Sequence, residues 1–222
     1  MKESKRTQKE ENILIAAEKV FGKYGFKNAK MDQIAKHAGI TKVTLYSYYQ
    51  SKENLYMAIT YKALSKLTEE YYTIIDQYKS KSGLNSVLAL SEAFMDFCED
   101  NYLYSETLIE YFTLNRSTSM GTDEHKLTEG LKESIYYLKL QDIQNIPFKL
   151  IVKEIERGKV DGSIKPEIDS MLYTLHGWTS VIGYIKIISS AGDVATPIFQ
   201  VNLKELKKIN LKTTEETLKR KG

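Results

Sequence analysis

Apolar residues recur at helical spacing along almost the whole chain. Between Lys5 and Tyr24, the positions Ile13, Ala16, Ala17, Val20, Phe21 and Tyr24 fall on one stripe. That period of 3.6 predicts an amphipathic helix, with Gly25 as its left-handed stop. Met31, Ile34, Ala35 and Ala38 predict a short second helix ending at Gly39, where a sharp turn favours positive φ. Thr41 is placed to cap a third helix that runs through Leu45 to about Tyr49. Ser51 is placed to cap a fourth, from Lys52 to Tyr78, and Glu53 in its first turn suits the helix dipole. Leu55, Ile59, Leu64, Leu67, Tyr71 and Ile74 give that long helix one apolar side.

After a polar break at Lys79–Gly83, further helical runs are expected over Leu84–Asp100, Tyr104–Arg116, Asp123–Leu140, Pro147–Lys159, Pro166–Ser190 and Pro197–Lys219. Ser117–Thr122 reads as a loop and Asp161–Gly162 as a turn, while Pro147 and Pro166 suit first helical turns. No stretch sustains the alternation of a strand, and no internal repeat is visible. The predicted fold class is all-α, with about 9–10 helices.

The run Pro166–Ser190 is apolar on more than one side. Met171, Leu175, Trp178, Ile182 and Ile185 make one face, and Leu172, Val181, Tyr184 and Ile188 fill the next. Such a helix must be covered on more than one side. A second subunit, packed as a four-helix interface about a two-fold axis, covers the outer face most economically. The alternative is a central core helix of a monomer.

Composition narrows the class. The 222 residues are 42% hydrophobic and 27% charged, ordinary for a soluble globular protein with room for a real core. The single cysteine, Cys98, rules out an internal disulfide framework and suits a reducing cytoplasm. The charged N-terminus lacks the apolar segment of a signal peptide. Met171–Ile188 contains Thr174, His176, Gly177, Thr179, Ser180, Gly183 and Lys186, so it falls short of a membrane span. The net charge of +3 hides an asymmetry: residues 1–55 hold 11 Lys/Arg against 6 Asp/Glu, and the remainder holds 21 against 23. A basic first quarter on a slightly acidic body suggests a polyanionic partner for that quarter, with chance as the alternative.

The residues A-x-x-x-F-G-x-x-G-F from Ala17 to Phe26, followed by MDQIAKHAGITKVTLYSYYQSKENL from Met31 to Leu55, closely resemble the DNA-binding domain of TetR-family transcriptional regulators. The resemblance covers roughly residues 8–56. It implies a three-helix helix-turn-helix domain over residues 1–52, and a larger helical ligand-binding and dimerisation domain over residues 53–222. Beyond residue 56 it rests on helix count and on the turn GKVDGSIKPEID. It also implies double-stranded DNA, a second copy of the chain and a small-molecule ligand as partners, and repression relieved by that ligand.

Helical geometry sharpens the DNA-binding candidates. Leu45 and Tyr49 lie four apart and should face the core, which leaves Lys42, Val43, Thr44, Ser47 and Tyr48 free to approach a major groove. By resemblance, Thr41, Thr44, Tyr46, Tyr48 and Lys52 are phosphate contacts, and Lys42, Val43 and Ser47 meet bases. Two positions depart from the family pattern. Val43 stands where glycine is usual, adding bulk that suits a thymine methyl. Lys30 stands where a capping threonine is frequent, so a phosphate contact survives as a cation and Asn28 is left to supply the cap.

Other chemistry is sparse. His37, His125 and His176 lack metal spacing, Cys98 has no partner, and no nucleophile elbow, Walker loop or dinucleotide fingerprint occurs. No cofactor or metal is implied, and an enzyme is the weakest reading. The 16 tyrosines, many between Tyr56 and Tyr137, suit either an ordinary core or an aromatic pocket for a flat, mainly apolar ligand. Candidate pocket residues are Phe94, Cys98, Glu110, Tyr111, Tyr137 and His176. Glu110 pairs by spacing with Glu106 but sits in the apolar run LIEYF. The rival to a ligand-released regulator is a ligand-independent DNA-binding protein governed by a protein partner.

Overall fold

The computed structural model describes the backbone of residues 2–119, 128–191 and 202–220. Within them lie α1 (Lys2–Asn28), α2 (Met31–His37), α3 (Lys42–Tyr48), α4 (Lys52–Gln77), α5 (Gly83–Asp100), α6 (Tyr102–Ser119), α7 (Glu129–Lys132), α8 (Ile135–Ile143), α9 (Ile146–Val160), α10 (Ser170–Ala191) and α11 (Leu203–Leu218). The described residues hold no strand; one isolated bridge joins Ile164 to Lys219. None of their helices is long and apolar enough to cross a membrane.

Several expected boundaries move. The single helix expected over Asp123–Leu140 is broken at Ser134, whose hydroxyl accepts from the Tyr137 amide at 3.3 Å and starts α8 afresh. Ser117–Ser119, expected in a loop, extend α6. Pro166 sits in a turn ahead of α10 rather than in its first turn; Asp169 accepts from the Leu172 amide at 2.8 Å and begins that helix. His125 and Pro197 lie outside the described residues.

The chain divides into two compact units, Met1–Leu64 with Tyr102–Ile143, and Ser65–Asn101 with Gln144–Gly222. These are not the segments 1–52 and 53–222, because α4 continues unbroken past residue 52 and α6 to α8 join the N-terminal helices.

In the first unit, Ile13, Ala16, Ala17, Val20 and Phe21 of α1 are buried as their spacing predicts, with Ile34, Leu45, Leu55 and Ile59. Tyr24, expected on the same stripe, is exposed, and Gly25 at φ 69° ends the regular helix one residue later. Phe21 and Phe26 close on Tyr56, at centroid distances of 5.4 and 4.6 Å. Truncating a residue such as Leu45 to alanine would cost about 2–5 kcal/mol.

In the second unit, Leu84, Val87, Ile155, Ile164 and Leu218 form a core drawn from α5, α9, the following turn and α11. Helices α5 and α9 meet at two glycines. A Cβ at Gly83 would lie 2.7 Å from the Glu154 carbonyl and closer still to the Gly158 backbone. The turn after α9 caps α5 from outside: Asp161 accepts from the Gly83 amide at 2.7 Å, and Ser163 from the Leu84 amide at 3.2 Å. Partial burial opposes ionisation of Asp161, yet the bonds from Ser163 and Gly83 win and hold its pKa below the ordinary 3.8. A lowered folded pKa means the contribution is complete above the unfolded value and is lost as pH falls through the folded one. Asp161→Asn should therefore flatten the loss of thermal stability below pH about 4, measured as melting temperature against pH.

Candidate nucleic-acid interface

The exposed side of α3 is set by two turns. Gly39 adopts φ 65°, which reverses the chain after α2. Thr41 then caps α3, its hydroxyl accepting from the Thr44 amide at 3.1 Å. Leu45 and Tyr49 are buried, at 0% and 1% exposure. Their side of the helix is thereby fixed inward. Lys42, Val43, Tyr46 and Ser47 are exposed, with Thr41, while Thr44 and Tyr48 are half-buried. Val43 is 81% exposed, so nothing among the described residues covers this apolar side chain.

Polar atoms on this surface are only lightly engaged. Lys42 pairs with Asp32 at 2.8 Å, and both side chains are more than half exposed. Such a pair contributes little and yields readily to a stronger partner. Its hydrogen bond to Asp32, then that residue's charge, raise the Lys42 pKa above the ordinary lysine value. Ser47 donates to the Thr44 carbonyl at 2.7 Å, and Lys30 is exposed at the start of α2. The α2 cap differs from expectation. Asn28 ends α1, and the Lys30 amide instead donates to Gln33 Oε1 at 2.9 Å.

A second group of cations stands beside α3. Lys5, Arg6 and Lys9 of α1 line an open hollow of about 420 Å³ with Ser47 and Tyr48. The Arg6 guanidinium lies 6.0 Å from the centre of the Tyr48 ring. The sequence places these residues in the charged N-terminus and the basic first quarter without assigning any of them a contact. Their register on α1 was the available signal, since 5 and 9 share a face one turn apart.

Lys52 is the correction. Its ammonium donates to the carbonyls of Phe26 at 2.8 Å, Ala29 at 3.2 Å and Lys27 at 3.4 Å, and stands 4.5 Å from the Phe26 ring centre. An ammonium has three protons, so no donor remains for a phosphate in this arrangement. The carbonyls of Phe26 and Lys27 end α1 and that of Ala29 follows it, where orphan acceptors and the helix dipole both favour a cation. Lys52→Met should lower stability by about 1.5–3 kcal/mol. The slope of log affinity for DNA against log salt should stay unchanged; a shallower slope would restore a phosphate role.

The interface candidates on α10 separate. Met171, Leu175 and the neighbouring Leu172 are 47%, 46% and 67% exposed, whereas Ile185 is 4% exposed and belongs to the core. Trp178 is half-buried, stacked on Phe94 at 5.2 Å and tilted against Phe148 at the same distance. Ile182 is half-buried. The pocket candidates divide between the units. In the first, Tyr111 and Tyr137 are buried with rings edge-on at 6.1 Å, and Glu110 is exposed with Tyr56 as neighbour. In the second, Phe94 and Cys98 are buried and His176 is exposed. Among the described residues, no group of three or more His, Cys, Asp or Glu side chains is placed to hold a metal.

Residues 13–59 match the sequence model of bacterial regulatory proteins, tetR family. The chain is 33% identical over 94 residues to the HTH-type transcriptional activator FasR of Mycolicibacterium smegmatis, a match covering 42% of each protein. It is 30% identical over 142 residues to YdgC of Bacillus subtilis, an uncharacterised HTH-type transcriptional regulator, covering 60% of this chain and 66% of that one. Among solved structures, FadR of Bacillus subtilis in complex with stearoyl-CoA superposes with a TM-score of 0.68 at 15% identity, over 93% of this chain and 97% of the other. A TetR/AcrR-family regulator from Thermobifida fusca superposes at 0.69 with 16% identity, over 98% and 100%. The likeness in fold thus extends over nearly the full length, while the family's sequence model matches residues 13–59.

Proposed function

Because the chain belongs to the TetR family of bacterial transcriptional regulators, we propose that it binds an inverted-repeat operator as a homodimer and is released by a small molecule. The observation that carries this reading is the outward face of α3, where Lys42, Val43 and Ser47 stand exposed beside the cations of α1. In the bound state Lys42 exchanges Asp32 for a base or phosphate, Val43 meets a thymine methyl and Ser47 reaches a base edge. Thr41, Thr44, Tyr46, Tyr48 and Lys30 contact the backbone, with Lys5, Arg6 and Lys9 beside them. Residues 1–52 are the DNA-reading part in this scheme, and residues 53–222 carry dimerisation and ligand binding.

The outward face of α10 supports the dimer. Three large apolar side chains within its first six residues are about half exposed or more. A second copy related by a two-fold axis covers the same face on both partners. Leu172→Glu should convert the dimer to a monomer in sedimentation velocity; a Leu172→Glu protein that stays dimeric would move the interface elsewhere.

The aromatic cluster of Phe94, Trp178 and Phe148 in the second unit, with Cys98 and His176 as further candidates, is the proposed place for an apolar ligand. Ligand there would favour a position of α4 that no longer suits the operator. A coupling of about 1–3 kcal/mol suffices. The stearoyl-CoA held by the Bacillus subtilis FadR makes long-chain acyl thioesters the first ligands to try. The second reading, activation instead of repression, is favoured by FasR, which is named an activator. Transcription from an operator-bearing promoter, measured with and without the protein, separates the two.

A further inference from the structure

A seven-residue helix such as α3 cannot hold its own conformation in water, so its position is set by what grips its two ends. The cap at Thr41 and the buried Leu45 fix the first part. The end of the helix is fixed by Tyr49, and Tyr49 meets a residue far along the chain. The ring of Tyr136, in α8, stacks on Tyr49 with centroids 6.0 Å apart and planes 22° apart. Tyr136 also meets Tyr61 of α4 at 6.0 Å, and the Lys139 ammonium lies over both rings, at 5.2 Å from Tyr136 and 5.7 Å from Tyr61. Burial first, then Tyr136, push the Tyr49 phenol above its ordinary pKa, so the ring stays neutral.

Two further contacts tie the same segment to the junction between α3 and α4. Ser134, fully buried, donates to Asn54 Oδ1 at 2.9 Å. Gly130 comes so near Ser51, the residue that caps α4, that a Cβ there would lie 2.9 Å from the Ser51 hydroxyl. A stack, a buried hydrogen bond and a backbone approach thus converge within six residues, Tyr49 to Asn54. All three come from residues 130–136, outside the 13–59 stretch that matches the family's DNA-binding domain.

We propose that the segment Thr128–Ile143 positions the recognition helix, with Tyr136 as the positioning residue that sets the end of α3 through Tyr49. This rests on α3 being the DNA-reading element. Tyr136 touches no DNA in this scheme; it decides where Val43, Lys42 and Ser47 stand. Its loss should therefore cost sequence-specific affinity while leaving the phosphate-directed, sequence-independent component in place.

The test uses the full chain, a duplex selected by the wild type, and a scrambled duplex of equal length. Tyr136→Ala should lower affinity for the selected duplex about tenfold, the loss of one misplaced base contact, and leave scrambled-duplex affinity and the salt slope unchanged. Tyr136→Phe keeps the ring and should restore discrimination. Where Tyr136→Ala fails to fold, Tyr136→Leu carries the same comparison. Gly83→Ala is the control for mere destabilisation, since its clash lies in the second unit and should not change the ratio between the two duplexes. A Tyr136→Ala or Tyr136→Leu protein that discriminates as the wild type does would overturn the positioning role. A wild type that does not discriminate between duplexes would overturn the DNA-reading assignment of α3 itself, and the inference with it.

Discussion

Replacing Lys5, Arg6 and Lys9 together with alanine is expected to make DNA binding markedly less sensitive to salt. Each phosphate contact contributes about 0.9 to the slope of log affinity against log salt on duplex DNA, so three contacts account for a slope change of roughly 2–3. Between 50 and 200 mM salt the wild type should then lose about 40-fold more affinity than the triple variant. Discrimination between operators should persist, because these side chains sit beside α3, which is the proposed base-reading element. The three replacements carry little structural cost. Arg6 is mostly exposed, and its ion pair with Glu10 on the same helix is of the solvated kind that adds little. An unchanged slope would place the phosphate contacts elsewhere.

Gly83→Ala is expected to have the largest effect on stability of the glycine-to-alanine replacements that meet neighbouring atoms among the described residues. The new Cβ would press on the backbone of Gly158 and on the Glu154 carbonyl, and backbone cannot swing aside as a side-chain end can. The expected cost is about 3 kcal/mol, at the upper end for overpacking. For a chain of this size that corresponds to a fall of roughly 6–12 °C in melting temperature. Gly22→Ala supplies the contrast. No neighbouring atom lies within 4 Å of a Cβ there, and Gly22 is inside α1. Alanine in a helix interior is favoured over glycine by about 0.5–1 kcal/mol, so Gly22→Ala should raise the melting temperature. Scanning calorimetry of the two variants reads both signs, and a Gly83→Ala protein as stable as the wild type would refute the close approach of α5 and α9.

What was legible in the sequence was local. Gly39 and Thr41 announce a turn and a cap because the physics of each involves residues at most a few positions away, and both are found as expected. Leu45 and Tyr49 share a face because four residues make about one helical turn, and both are buried. Lys52 was misread because its partners are three backbone carbonyls 23 to 26 residues upstream, and carbonyls leave no mark on a sequence. The exclusion of Gly83 by Gly158 is hidden for the same reason: two glycines 75 positions apart give no sign that they meet. Periodicity found the apolar faces of α10 but not which of them the chain covers. Ile185 proved to be core, and the exposed face runs through Leu172. The aromatic candidates illustrate the same limit. Tyr111, Tyr137 and Phe94 read equally as core or pocket, and each is buried, in contact with another aromatic ring.

The central claim is that α3 of a two-fold dimer reads DNA sequence. Selection of duplexes from a random pool by the full-length protein, followed by sequencing of the bound fraction, tests it most directly. Enrichment of an inverted repeat, with half-sites centred about 10 base pairs or a multiple of that apart, is the predicted result. Recovery of a bound pool with no enriched sequence, or with a single unpaired half-site, would contradict it.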